Sequence, residues 1–83
     1  MFDSLTVPQL SDDELFALAD RPMLWANNVD GVFKNLRAAL VHTAAVSARG
    51  RTPYKLNRMA DPEITIDHFQ MPRLWRLLGI VAG

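Results

Sequence analysis

Residues 27–50, NNVDGVFKNLRAALVHTAAVSARG, decide how this chain folds. Val29, Phe33, Leu36, Leu40 and Thr43 follow one another at alternating steps of four and three, the spacing of one face of an α-helix. Val32, Ala39 and Val46 recur at sevens as a second stripe, and Ala38, Ala44, Ala45 and Ala48 add small apolar faces. Gly50 suits the residue just past a helix end, and Arg49 would sit favourably at the negative end of the helix dipole. The spacing predicts a long central helix over residues 28–49. At 1.5 Å per residue such a helix is roughly 33 Å long, about the diameter of a domain this small. Two apolar stripes need covering from more than one side, by other helices or by a second copy of the chain. A break near His42-Thr43, with Thr43 capping a shorter helix through Arg49, is the alternative.

Upstream, residues 1–9 show no periodicity and read as a flexible N-terminal arm. Ser11-Asp12-Asp13-Glu14 is a capping box, in which the Ser11 hydroxyl accepts from the Glu14 N–H and the Glu14 carboxylate reaches back. Leu10 and Leu15 stand at the spacing of a hydrophobic staple. A first helix therefore runs from Ser11 to about Asp20, stops at Arg21-Pro22, and buries Leu15, Leu18 and Ala19. Downstream, Thr52 as cap and Pro53 at the first helical position open a helix over Tyr54–Ala60 that Asp61-Pro62 ends. Glu63-Ile64-Thr65-Ile66 alternates like a strand, with no second strand evident to pair with it. A turn at 67–70 leads to a last helix starting near Met71-Pro72, closed by Gly79 with Ile80 reaching back to Trp75. The expectation is an all-α bundle of three to five helices around the 28–49 element, with residues 10–83 as a single helical domain, paired as a homodimer.

The composition narrows the function classes. Eighty-three residues with 49% hydrophobic content make one globular domain rather than a disordered chain. No cysteine is present, so a disulfide framework, a thiol nucleophile and a thiolate zinc site are excluded. No apolar run approaches the ~18 residues of a membrane span, and the expected setting is the cytoplasm, away from the membrane. His42 and His68 lack metal-ligand spacing, no serine sits in a nucleophile elbow, and Gly31, Gly50, Gly79 and Gly83 form no phosphate cradle. The expectation is a protein that is not an enzyme and takes neither cofactor nor metal.

The charges are sorted along the chain. Residues 1–33 hold six acids and one base, whereas residues 34–83 hold eight bases and three acids. Such asymmetry belongs either to halves that fold against each other or to a basic face that meets an acidic partner. The local candidate for such a face is residues 48–58, ARGRTPYKLNR, where Arg49, Arg51, Lys55 and Arg58 could donate to phosphate or carboxylate and Tyr54 could stack or hydrogen-bond. The alternative is a solvated basic side that balances the acidic first helix.

Val46-Ser47, Thr52-Pro53-Tyr54-Lys55-Leu56, Asp61-Pro62, Thr65-Ile66-Asp67 and Leu77-Leu78-Gly79-Ile80 resemble the second half of Cro/CI-type helix-turn-helix regulators over about 35 residues. The resemblance implies a recognition helix at Thr52–Leu56 and DNA binding through Thr52, Tyr54, Lys55 and Arg58. The pI of about 6.7 is low for a dedicated nucleic-acid binder. The leading expectation is a small regulator, inhibitor or assembly factor that acts by binding another macromolecule, with a protein as the expected partner; a Cro/CI-like DNA-binding repressor is the alternative.

Overall fold

A computed structural model describes residues 4–6, 10–27, 29–60 and 63–81. Within them the chain forms, in order, β1 (Ser4–Thr6), α1 (Asp12–Ala19), β2 (Trp25–Asn27), β3 (Gly31–Phe33), α2 (Leu36–Ala48), β4 (Leu56–Arg58), β5 (Glu63–Ile66) and α3 (Met71–Leu78). The architecture is α+β, and the expected all-α helical bundle is overturned. Strands β5, β4, β2 and β3 form an antiparallel sheet in that order, and β1 adds to β5 in parallel. Ser4–Thr6 thus lie in a strand; the remainder of the expected arm, 1–3 and 7–9, falls outside the described residues.

The long central helix fails at its first third. Asn27 folds its own side chain over the chain behind it: Oδ1 accepts from the Val29 N–H at 2.9 Å and the Asp30 N–H at 2.6 Å. Gly31 follows with φ +99, a conformation side chains rarely tolerate. These residues build the turn between β2 and β3, whose register pairs Trp25 with Phe33 and Asn27 with Gly31. Val29 and Val32, one from each supposed stripe, are 67% and 57% exposed. The helical period over 29–33 is therefore an alias of a short hairpin. The start of the helix at Asn28 lies outside the described residues. Asn35 is the true N-cap of α2, with extended backbone and a side chain that accepts from the Ala38 N–H at 2.8 Å. From there α2 runs unbroken through His42. Its stripe of Leu36, Leu40 and Thr43 is buried within the chain, together with Ala39 and Ala44, against the sheet and α3.

The helix expected over 54–60 is also absent. Residues 51–55 are a loop, and Leu56–Arg58 form β4 in the middle of the sheet. The recognition helix implied by the helix-turn-helix resemblance is consequently not formed at Thr52–Leu56. Leu56 lies opposite Ile66 and Asn57 opposite Thr65, with the Thr65 hydroxyl donating to Asn57 Oδ1 at 3.0 Å. β4 is thus the partner that the 63–66 alternation lacked in the sequence, and β1 is a second. Ile64 and Ile66 point into the core, as that alternation requires.

The two outer helices match their sequence signals. Ser11 and Glu14 form both bonds of the capping box, at 2.9 and 3.1 Å. Gly79 ends α3 at φ +70, and the Ile80 N–H donates to the Trp75 carbonyl at 2.8 Å. All three helices cover one face of the sheet, where Leu15, Trp25, Leu36, Leu40, Leu56, Ile66, Met71 and Leu74 are fully buried. Trp75 and Thr43 join α3 to α2: the indole Nε1 donates to Thr43 Oγ1 at 3.4 Å, and that hydroxyl donates to the Leu40 carbonyl at 3.0 Å. No described element covers the other sheet face, where Ala26, Asn57 and Thr65 stand in one row.

Candidate functional site

The segment after α2 positions most of the sequence-identified basic residues. α2 ends with Arg49 as its C-cap, and Gly50 at φ +79 turns the chain sharply away. Residues 51–55 then cross the molecule to enter β4. Pro53 is buried and anchors this crossing, which leaves Arg51, Thr52, Tyr54 and Lys55 exposed around it.

This loop separates two clefts. The first, about 310 Å³, lies on the α2 side; its walls include Arg49, Arg51, Tyr54, His42 and Asp30. The second, about 550 Å³, lies on the other side; its walls include Pro53, Tyr54, Lys55, Asp67, His68 and Phe69. Thr52 and Tyr54 line both. The structure therefore brings Arg49, Arg51 and Tyr54 to one cleft and Tyr54 and Lys55 to its neighbour.

Arg58 is placed apart from them. It lies opposite Trp25 in the β4–β2 register, on the helix-covered side of the sheet, and lines neither cleft. Its Nε is buried without a hydrogen-bond partner, as is Nε1 of fully buried Trp25. Its strand position puts two residues of chain and a turn to the opposite face between it and Lys55.

A polar relay that the sequence reading missed supports the first cleft. Asn27 is buried; besides accepting the two turn N–H groups, it donates from Nδ2 to Asp30 Oδ2 at 3.1 Å. The other oxygen of Asp30 lies 3.1 Å from His42 Nε2. The contact has ion-pair distance rather than the alignment of a good hydrogen bond, since no aligned partner meets Nε2. Phe33 packs on the His42 ring at a centroid distance of 5.2 Å and fixes its plane. Partial burial pushes the Asp30 carboxyl up, but the contact with His42 and the hydrogen bond from Asn27 outweigh it and hold the group below its ordinary value. The Asp30-Gly31 pair after Asn27 was the readable signal, because it is turn chemistry. The pairing with His42 joins the hairpin to α2 and needs the tertiary fold.

The cations of the loop differ from Arg37 and Arg73. Among the described residues, no carboxylate lies within ion-pair distance of Arg49, Arg51 or Lys55. Those that hold the acidic first helix are different residues. Arg37 clasps Asp20 through Nε and Nη2 at 2.7 and 3.0 Å, and Arg73 reaches Asp12 at 2.7 Å. Arg37 holds the Asp20 carboxyl below its usual range by that direct hydrogen bonding.

The arrangement offers hydrogen-bond donors to an anion: two guanidinium groups, a phenol, an imidazole and the Thr52 hydroxyl line one open cleft. Among the described residues no group of three or more His, Asp or Glu side chains could hold a metal ion. No helix among them is long and apolar enough to cross a membrane. No family model matches the chain, and neither a curated protein nor a solved structure matches it significantly.

Proposed function

We propose that this protein is a non-enzymatic interaction module, a small regulator, inhibitor or assembly factor, that captures an acidic segment of a partner protein at Arg49, Arg51 and Tyr54. The observation that carries this reading is the convergence on one cleft of two arginines that have no carboxylate partner among the described residues, beside a buttressed imidazole. A guanidinium forms bidentate bonds with a carboxylate, and Arg and Tyr are the residue types enriched at the energetic centres of protein interfaces. The setting of the reading is the cytoplasm, where a cysteine-free chain needs no disulfide to hold its fold.

A short acidic peptide is favoured over duplex DNA. Each cleft carries a carboxylate of its own, Asp30 in one and Asp67 in the other. A local anion can avoid these groups, whereas a continuous phosphate backbone would run along them. The neutral net charge of the chain points the same way, since it provides no broad positive field to gather a polyanion.

Isothermal titration of the whole chain with a glutamate decapeptide tests the reading, with a random-sequence duplex DNA titrated in parallel. Saturable peptide binding that weakens as salt rises is the expected result, because exposed charge pairs are screened. Peptide that gives no heat at low salt would overturn it. DNA bound more tightly than the peptide, with a steep salt dependence, would overturn it in favour of a nucleic-acid function.

A further inference from the structure

The second cleft has a different character from the first, and the difference identifies what it takes. Its walls are mostly apolar. Phe69 and Tyr54 both line it and are 78% and 48% exposed. Pro53 adds to the apolar lining. Phe69 is held outward by its position in the turn that precedes α3. Within that turn Asp67 accepts at its carbonyl from the Gln70 N–H at 3.0 Å, and the Asp67 N–H donates to Gln70 Oε1 at 3.1 Å. The His68 ring lies 3.9 Å from that of Phe69, centroid to centroid, and stiffens it further. A phenyl group so exposed, yet supported by a bonded turn and a stacked neighbour, is presented rather than loose.

We infer that this cleft is the apolar anchor site for the same partner segment, and that it takes an aromatic side chain, such as phenylalanine, between Phe69 and Tyr54. The inference rests on the proposed capture of acidic segments at Arg49 and Arg51. Adjacency supports it, since Thr52 and Tyr54 of the loop line both clefts. Lys55 lines the apolar cleft alongside Asp67, and adds a cation next to the arginines of the first cleft. A volume of about 550 Å³ falls in the range of pockets that accept small ligands and leaves ample room for one ring. Offset or edge-to-face packing on Phe69 and Tyr54 rewards an aromatic group beyond the area that it buries. The partner motif is therefore an acidic run with one aromatic residue to one side of it.

Four sets of probes separate this inference from the reading beneath it. These are a glutamate decapeptide, the same peptide with phenylalanine placed at each position in turn, the same series with serine, and phenylalanine in a glutamine background. Each is titrated into the whole chain and into the Phe69→Ser variant, whose exposed site leaves the fold intact. At its best position, phenylalanine should tighten binding by about tenfold over serine at that position, a difference of roughly 1.4 kcal/mol. Phe69→Ser should abolish that gain and leave the affinity for the all-glutamate peptide unchanged. A phenylalanine that brings no gain anywhere, or a gain that survives Phe69→Ser, would overturn the anchor site and leave the acidic capture standing. Equal binding of phenylalanine in glutamate and glutamine backgrounds would overturn the acidic capture and leave the anchor site standing. No binding of any peptide would overturn both.

Discussion

The acidic first helix and the loop after α2 carry opposite charges and meet opposite fates. Around α1 three acids are bonded: Glu14 closes the capping box, Asp12 receives Arg73, and Asp20 at the C-cap receives Arg37. Arg73 also donates to the Leu10 carbonyl at 3.1 Å, which ties the residue before the cap to α3. Both arginines come from the basic half of the chain. The loop residues Arg49, Arg51 and Lys55 belong to that half too, yet among the described residues no carboxylate reaches them. The sorted charges of the sequence therefore have two explanations at once. Some hold the halves of the molecule together, and others, among them the cluster on the open loop, have no carboxylate partner among the described residues.

The largest expected effect concerns the relay that shapes the first cleft. Asn27→Ala removes the acceptor of two turn N–H groups and the donor to Asp30, and should cost about 1–3 kcal/mol in urea unfolding. Asp30 should titrate higher in that variant, since one of the bonds that hold it low is gone. Next in size, Ser11→Ala should cost about 0.5–2 kcal/mol through loss of the α1 cap. Arg73→Ala should cost about 1 kcal/mol or less, as partly exposed ion pairs do, and Asp12→Asn should add little in its background. The smallest effect sharpens the contrast: Lys55→Glu should shift stability by less than about 0.5 kcal/mol.

Acid distinguishes the two regions as well. The carboxyls of Glu14, Asp20 and Asp30 are all held below their ordinary values in the folded chain. Groups of that kind contribute stability that is fully present above the unfolded pKa and is lost as pH falls through the folded one. These carboxyls should therefore make the melting temperature decline as pH falls below the ordinary carboxylate range, near pH 4. Reversing the loop cations should leave that profile unchanged.

What the sequence disclosed follows from how local each signal is. Ser11 with Glu14 and Gly79 with Ile80 act within a few residues, so α1 and the end of α3 were legible. The alternation of Glu63–Ile66 was strand-like in the sequence, but without its partner β4 in view it did not decide between strand and turn. Leu56-Asn57-Arg58 has no strand propensity of its own and is extended because β2 and β5 flank it. Pro53 was read as a helix start when it anchors a loop. The greatest misreading came from Val29, Val32 and Phe33, whose helical spacing continues without a break into α2. Asn27, Asp30-Gly31 and the capping Asn35 outweigh that spacing, because turn and cap chemistry fix the backbone before side-chain period can. For the candidate site, Arg49, Arg51, Tyr54 and Lys55 were identifiable from one short basic stretch. Arg58 fell to the other side of the sheet, and His42, Asp30 and Phe69 joined the clefts through contacts that only the folded chain makes.

The central claim is that the loop arginines serve binding while Arg37 and Arg73 serve the fold. Two double variants, Arg49→Glu with Arg51→Glu and Arg37→Ala with Arg73→Ala, are measured side by side for urea midpoint and for affinity to the glutamate decapeptide. The first pair should keep the wild-type midpoint and lose affinity by about tenfold or more, because reversed charges repel an acidic segment. The second should unfold at lower urea and bind as wild type does. A loop variant that keeps its affinity, or one that loses stability as the α1 variant does, would contradict the account.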